Sequence, residues 1–246
     1  MKTFIIGIDV ATVASKVGLA MAELDSHYTV KLQDVKLCGK GFEPAQPVGN
    51  WINELEGRIL FAMDAPLGWP DSMRTAFSDH FAGRPLPVLP DELFRRKTDR
   101  YIKDETGKTP LDVGADRIAR TAHAALKLLD EIGKHSGKTI PMAWSPDFND
   151  IAAIEVYPAA TLKVMGIRSS GYKLKNQDAE RSEMMKALSH WVEVGEHASD
   201  LVENPDVLDA VVCVVAGMDF ISGKAKPPPD KELAEREGWI WVRSNQ

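Results

Sequence analysis

Hydrophobic residues form short continuous runs along this chain, and three of these runs have an acidic residue at or near their C-terminal end. The three runs span residues 4–11, 59–64 and 151–155. Apolar runs of this length that are rich in β-branched residues are typical of strands buried within a sheet. Because a buried strand has no room for an unpaired charge, we expect Asp9, Asp64 and Glu155 at the strand ends. If the strands are parallel, the three carboxylates meet at one edge of the sheet.

The first part of the chain shows a β-β-β-α-β pattern. Residues 17–22 and 28–37 are predicted to be the second and third strands, and residues 48–55 have the spacing of a short helix. The short connections between the first three strands favour antiparallel neighbours. The helix then returns the chain to the strand at 59–64, which is predicted to run parallel to the first.

The rest of the chain is mostly helical in pattern. Residues 71–145 contain no convincing strand, and apolar spacing predicts a helix over 113–132 with Asp112 as its N-cap. We therefore expect a single domain over residues 1–246 with a helical insertion at 71–145. Further helices are predicted over 159–164, 179–192 and from Pro205 onwards, and a final edge strand over 238–242.

Composition and charge limit the classes of function. The chain has 246 residues and a net charge of −6, which argues against indiscriminate coating of nucleic acid. The sequence predicts no membrane span and no secretory signal, and two scattered cysteines predict neither a disulfide framework nor a zinc site. We expect a cytoplasmic protein. Residues 93–103 are locally basic, which suits either a phosphate contact or a solvated helix face.

Five acidic residues are candidates for the chemistry of the protein. They are Asp9, Asp64, Glu155, Asp206 and Asp209. Crowded carboxylates repel one another unless a cation neutralises them, and Mg²⁺ or Mn²⁺ suits such oxygen ligands. Asp9 and Asp64 alone could instead bind local backbone amides, Glu155 could pair with an arginine, and Asp206 suits the first turn of a helix. Asp209 begins an apolar helix, where a buried charge needs a partner.

Several motifs together resemble a known family, domain-of-unknown-function family 429 (DUF429). The motifs lie at residues 7–11, 63–68, 94–99, 155–160, 206–210 and 237–241. That family is regarded as a predicted nuclease group with the ribonuclease H-like fold. The resemblance implies an α/β fold with a mixed five-stranded sheet in the order 3-2-1-4-5, flanked by helices.

The resemblance also implies roles for individual residues. Asp9 and Asp64 would be adjacent metal ligands, and Asp206 and Asp209 would match the paired acids that begin the last helix of related Holliday-junction resolvases. Arg95 and Arg96 would contact substrate phosphate or pair with Glu155. The helical glutamate of ribonuclease H has no clear counterpart, although Glu54 and Glu56 are candidates.

The leading functional hypothesis is a Mg²⁺- or Mn²⁺-dependent phosphodiesterase acting on nucleic acid. Asp9, Asp64 and Asp209 would hold the metal, Asp206 would assist, and Glu155 is a candidate additional acid. One alternative is a scaffold that binds a nucleotide or protein without catalysis. Another is a phosphotransferase similar to acetate and sugar kinases. The sequence distinguishes neither DNA from RNA nor one oligomeric state from another.

Overall fold

The structure, a computed structural model, describes residues 2–39, 41, 43–114 and 116–244. Its strands are β1 (Thr3–Asp9), β2 (Gly18–Leu24), β3 (Val30–Leu37), β4 (Arg58–Asp64), β5 (Ile151–Glu155) and β6 (Val192–Glu193). Its helices are α1 (Ala45–Glu54), α2 (Asp71–Ser78), α3 (Pro90–Phe94), α4 (Lys97–Thr106), α5 (Asp116–Ser136), α6 (Pro158–Val164), α7 (Asp178–Leu188), α8 (Ala198–Glu203), α9 (Pro205–Ile221) and α10 (Lys231–Glu237).

The strands form one mixed sheet in the order β5-β4-β1-β2-β3-β6. β2 is antiparallel to β1 and β3, whereas β4 is parallel to both β1 and β5. Read from β3 to β5, this is the 3-2-1-4-5 order expected of the ribonuclease H-like fold, so the predicted fold class is confirmed. The predicted strand number was one too low because Val192, expected within a helix, pairs with Val30 to form β6.

The edge strand predicted over residues 238–242 was wrong. In the described part of the chain this segment forms a single bridge to β5, between Ile240 and Glu155. The Ile240 N–H donates to the Thr98 hydroxyl at 2.8 Å instead of to a neighbouring strand. The backbone ladder therefore does not extend beyond the bridge.

Alternate residues of β1 face two different layers of helices. Ile5 packs in the cluster that contains the buried residues of α9, whereas Ile6 and Ile8 pack against α1 and α5. Helix α9 is buried over nearly its whole length, which explains its apolar pattern on all sides. No helix in the described ranges combines the length and hydropathy needed to cross a lipid bilayer.

Two glycines allow α9 to lie against the sheet backbone. A Cβ atom on Gly7 would be 2.0 Å from the Ala210 carbonyl oxygen, and one on Gly18 would be 2.0 Å from that of Asp206. Only glycine leaves room for the helix at these points. Because Gly18 is paired with Asp9 across β1 and β2, this contact holds the beginning of α9 close to the end of β1.

Residues 71–145 contain α2 to α5, and their described residues form no strand apart from an isolated bridge at Met142. Helix α5 begins at Asp116, three residues later than predicted. The predicted N-cap at Asp112 was wrong, because its carboxylate accepts a hydrogen bond from Arg95 Nε at 2.5 Å. The Asp112 side chain thus forms an ion pair with Arg95 instead of capping the helix.

Glu237, at the end of α10, joins the helical insertion to the C-terminal part of the fold. One carboxylate oxygen accepts the Asp71 N–H at 2.8 Å, and the other accepts the Lys97 N–H at 2.8 Å. These amides lie at the beginnings of α2 and α4, where a negative charge is favourable for the helix dipole. One side chain therefore fixes two helices of the insertion.

Candidate active site

Three of the predicted carboxylates meet at one end of the sheet. Asp9 ends β1, Asp64 ends β4, and Asp209 lies near the beginning of α9. One carboxylate oxygen from each lies within 4.8 Å of the other two. Asp9 and Asp209 are buried, and Asp64 is partly buried. These oxygens are close enough for a single cation to contact all three.

The register of the sheet explains why these side chains converge. Parallel strands β1 and β4 pair Asp9 directly with Asp64, so the two carboxylates project from the same face. That face is covered by α9, whose backbone approaches β1 at Gly7. The close approach brings Asp209 over the two strand ends.

Two residues of the loop at 169–175 complete the site, and sequence reasoning singled out neither. Lys173 Nζ contacts Asp209 Oδ2 and lies 3.5 Å from Asp9 Oδ2. The Tyr172 hydroxyl donates a hydrogen bond to Asp209 Oδ1 at 2.6 Å. No local pattern in the sequence relates Tyr172 to an acid 37 positions away.

Burial and mutual repulsion change the titration of these carboxylates. Burial first, and then the charges of neighbouring carboxylates, raise the pKa of Asp9 well above its ordinary value and that of Asp64 to about 7, although Lys173 opposes both shifts. Burial alone would lower the pKa of Lys173, but Asp209 and Asp9 outweigh it and leave that pKa above its ordinary value. A cation bound here would relieve the repulsion between the carboxylates.

The raised pKa of Asp64 predicts how stability depends on pH. The folded protein raises this pKa from 3.8 to about 7, so it binds that proton more tightly than the unfolded chain does. In metal-free buffer, the free energy of unfolding should therefore decrease as the pH rises from about 4 to about 7. In the Asp64→Asn variant, the part of this decrease that Asp64 causes should disappear. At about pH 8 the free energy of unfolding of the variant should therefore be higher than that of the wild type by about 1 kcal/mol or more.

Urea denaturation across this pH range, in the presence of EDTA, measures the effect. Asp104 is exposed, so Asp104→Asn serves as a matched control that should follow the wild-type profile. The explanation would be wrong if Asp64→Asn lost stability with rising pH as steeply as the wild type.

Asp206 lies outside the group of three carboxylates. It occupies the first turn of α9, three residues before Asp209, and is partly exposed. Its charge adds to the effect of burial in raising the pKa of Asp9 and of Asp209. Asp206 is therefore near enough to influence the site electrostatically, although it contributes no oxygen to the group.

Glu54 and Glu56 do not join the site. Glu54 is the last residue of α1 and Glu56 precedes β4, so both lie near the beginning of that strand. Asp64 is at the opposite end of the same strand. Both glutamates therefore lie at the other end of β4 from the three carboxylates.

The predicted phosphate contact at Arg96 was wrong. Arg96 is 1% exposed, and two guanidinium nitrogens each donate to the Glu155 carboxylate at 2.7 Å. Asp99 accepts from the same guanidinium at 2.8 Å. The alternative expectation, an ion pair between Arg96 and Glu155, is confirmed. Glu155 also accepts the Leu67 N–H at 3.0 Å, so both of its carboxylate oxygens are engaged in this network, beside the cleft that Asp9 and Asp64 line.

Arg95 forms two ion pairs near the surface. Its guanidinium lies 2.5 Å from the Asp112 carboxylate and 3.4 Å from that of Asp91. The side chain is 26% exposed. A phosphate would have to compete with both carboxylates, so these surroundings do not favour the predicted contact at Arg95.

A cleft of about 280 Å³ opens over Asp9 and Asp64. Its walls include Tyr157 after β5 and Thr121 on α5. A second depression of about 390 Å³ follows α5 and shares Val10 with the first. The two depressions therefore adjoin at Val10, the first over the carboxylates and the second along α5.

The second depression contains basic side chains. Arg120, His123 and Lys127 line it, all exposed on α5. Lys127 pairs with Glu131 at 3.2 Å. Arg120 has no ion-pair partner in the part of the chain that the structure describes, so its charge is available to an anion.

Residues 7–234 match the sequence profile of the family described as "Protein of unknown function (DUF429)". The chain belongs to the DUF429 family. The resemblance to this family that the sequence motifs predicted is thereby confirmed over almost the whole chain. No curated protein matches the sequence of this chain.

Two solved structures of RuvC from Thermus thermophilus are similar to the DUF429 protein. RuvC in complex with a Holliday junction substrate is 9% identical, with a TM-score of 0.38, and the match covers 92% of this chain and 99% of that chain. A second RuvC structure is 12% identical, with a TM-score of 0.32 and the same coverage. The fold of the DUF429 protein is defined by the strand order of its own sheet.

Proposed function

We propose that this DUF429 protein is a divalent-metal-dependent phosphodiesterase that acts on nucleic acid. The observation that carries the proposal is the convergence of Asp9, Asp64 and Asp209 within 4.8 Å. The donor set consists of carboxylate oxygens, which suit Mg²⁺ and Mn²⁺. Neither cysteine nor histidine, the usual ligands of zinc, belongs to the group.

The chain's own residues would prepare the site for a phosphodiester. Mg²⁺ or Mn²⁺ held by Asp9, Asp64 and Asp209 would supply an acidic bound water and positive charge for the phosphate. Tyr172 would fix the orientation of Asp209 through its hydroxyl group. Asp206 would assist by adding negative charge beside the ligands.

Contacts to the nucleic-acid backbone are proposed along α5 instead of the segment at 93–103. Arg120 is exposed and unpaired among the described residues, and it lines the depression that adjoins the carboxylate cleft. His123 lines the same depression. Exposed cations such as Arg120 and Lys127 can contact a phosphate chain even though the whole chain carries a net charge of −6.

We also propose that residues 1–246 form a single ribonuclease H-like domain, with residues 71–145 as an insertion within it. Two sets of contacts support this proposal. Arg96 in the insertion pairs with Glu155 at the end of β5, and Glu237 binds backbone amides at the beginnings of α2 and α4. Such buried polar links join the insertion to the sheet as one folding unit.

The kinase-like alternative is disfavoured by the environment of Gly18. This glycine is the one nearest to the turn that would cradle nucleotide phosphates. Because Gly18 has no side chain, the backbone of α9 can lie against it. A Cβ atom at this position would be 2.0 Å from the Asp206 carbonyl oxygen. Gly18 therefore serves the packing of α9, which does not favour a phosphate-binding role for it.

The proposal is tested with labelled DNA, RNA, hybrid and junction substrates in the presence of Mg²⁺ or Mn²⁺. We expect wild-type protein to cleave at least one of them and Asp64→Asn to reduce the rate by about 100-fold, since metal-ion catalysis contributes several kcal/mol to such reactions. Asp104→Asn, a matched change at an exposed position, should retain the wild-type rate.

Two outcomes would reject the proposal. Equal cleavage by wild type and Asp64→Asn would mean that the activity arises elsewhere. Wild-type protein that binds Mn²⁺ but cleaves none of the substrates would instead indicate a non-catalytic scaffold.

A further inference from the structure

Lys173 brings a positive charge into direct contact with two of the three carboxylates. Its Nζ atom contacts Asp209 Oδ2 and lies 3.5 Å from Asp9 Oδ2. The Lys173 side chain is 45% exposed, whereas both carboxylates are buried, so the lysine reaches into the site from the surface. Such contacts with partly desolvated acids are stronger than ion pairs formed wholly in water.

The position of Lys173 is built into the fold by the preceding residue. Tyr172 is buried, its hydroxyl donates to Asp209, and its carbonyl oxygen accepts a hydrogen bond from Arg181 Nη1 at 2.6 Å. Arg181 is itself buried on α7. Tyr172 is thus fixed at both its side chain and its backbone. Lys173 extends from this fixed point, which distinguishes it from a freely oriented surface lysine.

The contacts also determine which oxygens remain for a metal ion. Both oxygens of Asp209 already accept contacts, one from Tyr172 and the other from Lys173. Asp64, in contrast, has no hydrogen-bond or ion-pair partner among the residues that the structure describes. When all three carboxylates are ionised, they and the Lys173 ammonium group carry a net charge of −2 (−3 + 1), which one divalent cation balances.

We infer that Lys173 takes the place of a second metal ion, so that this site binds one divalent cation per chain. Two divalent cations together with Lys173 would leave a charge of +2 (−3 + 1 + 4) among largely buried groups before substrate binds. An excess charge in a desolvated site is unfavourable. The inference rests on the proposed function, and it assigns Lys173 to stabilising the negative charge of the phosphate.

Counting bound Mn²⁺ tests the inference without measuring activity. Metal-free full-length protein is titrated with Mn²⁺, and binding is followed by calorimetry and by electron paramagnetic resonance of the free ion. We expect one Mn²⁺ per chain for the wild type and two for Lys173→Met. Lys175 is exposed in the same loop, so Lys175→Met is the matched control and should bind one. Lys173→Arg keeps the charge and should also bind one.

The possible outcomes separate this inference from the proposed function. Two Mn²⁺ ions in the wild type, or a single ion in folded Lys173→Met, would overturn the inference and leave the metal site in place. Wild-type protein that binds no Mn²⁺ would overturn the proposed function and the inference together. Circular dichroism establishes that each variant is folded. Two Mn²⁺ ions in the wild type would overturn the inference even if Lys173→Met does not fold.

Discussion

Replacing Arg96 with methionine is expected to lower the free energy of unfolding by about 3–5 kcal/mol, because it leaves two buried carboxylates without their counter-charge. Those carboxylates belong to Asp99 and Glu155, and all three side chains are at most 2% exposed. The guanidinium also donates to the Glu237 carbonyl oxygen at 3.2 Å. Chemical denaturation followed by tryptophan fluorescence measures the loss.

The neighbouring arginine provides a matched control for this experiment. Arg95 forms its ion pairs at the surface, so Arg95→Met should lower the free energy of unfolding by no more than about 1 kcal/mol. The double variant Arg96→Met/Glu155→Leu should be less destabilised than the sum of its single variants, since it removes both members of one pair. Equal losses for Arg95→Met and Arg96→Met would contradict the role given to the buried network.

Replacing Gly7 with alanine should destabilise the protein by about 3 kcal/mol, near the upper end of the usual penalty for overpacking. The new Cβ atom would lie 2.0 Å from the Ala210 carbonyl oxygen, so the backbone of α9 would have to move. That movement would withdraw Asp209 from Asp9 and Asp64. We therefore expect weaker Mn²⁺ binding as well as a lower melting temperature, measured by calorimetry.

Gly49→Ala is the appropriate comparison. Gly49 lies within α1, where a Cβ atom would meet the Cβ atom of His135 at 3.0 Å, a much milder approach than that at Gly7. A shift of a few tenths of an ångström relieves this contact, and alanine favours the helix by about 1 kcal/mol over glycine, so little net change is expected. If Gly7→Ala were as well tolerated as Gly49→Ala, α9 would have to be less closely fixed to the sheet than the structure indicates.

The sequence pattern predicted the core of the fold and placed Asp9 and Asp64 at strand ends, and the motif resemblance grouped Asp209 with them. Glu155, the third acid that the strand pattern offered, pairs with Arg96 instead. Buried strands and a helix buried on all sides need continuous apolar runs, and a charge at the end of such a run stands out. Asp9, Asp64 and Asp209 each have this signal. Their meeting then follows from parallel pairing of β1 with β4 and from the position of α9.

The predictions from the sequence failed where a side chain or backbone group contacts a partner that is distant along the chain. Arg96 pairs with Glu155 across 59 positions, and no periodic pattern reports such a contact. The contacts of Lys173 are of the same kind, because they join a loop to β1 and α9. Strand β6 has only two residues, too few for an alternating pattern to be recognised.

The two hydrogen bonds that the Glu237 carboxylate accepts from backbone amides affect the order in which the protein can fold. This glutamate holds the beginnings of α2 and α4, and the Arg96 guanidinium reaches its carbonyl oxygen across 141 positions. Bringing such distant segments together has an entropic cost that grows with the length of chain between them. On the ribosome, the nascent polypeptide can therefore fix the beginnings of α2 and α4 through this contact only after residue 237 has emerged.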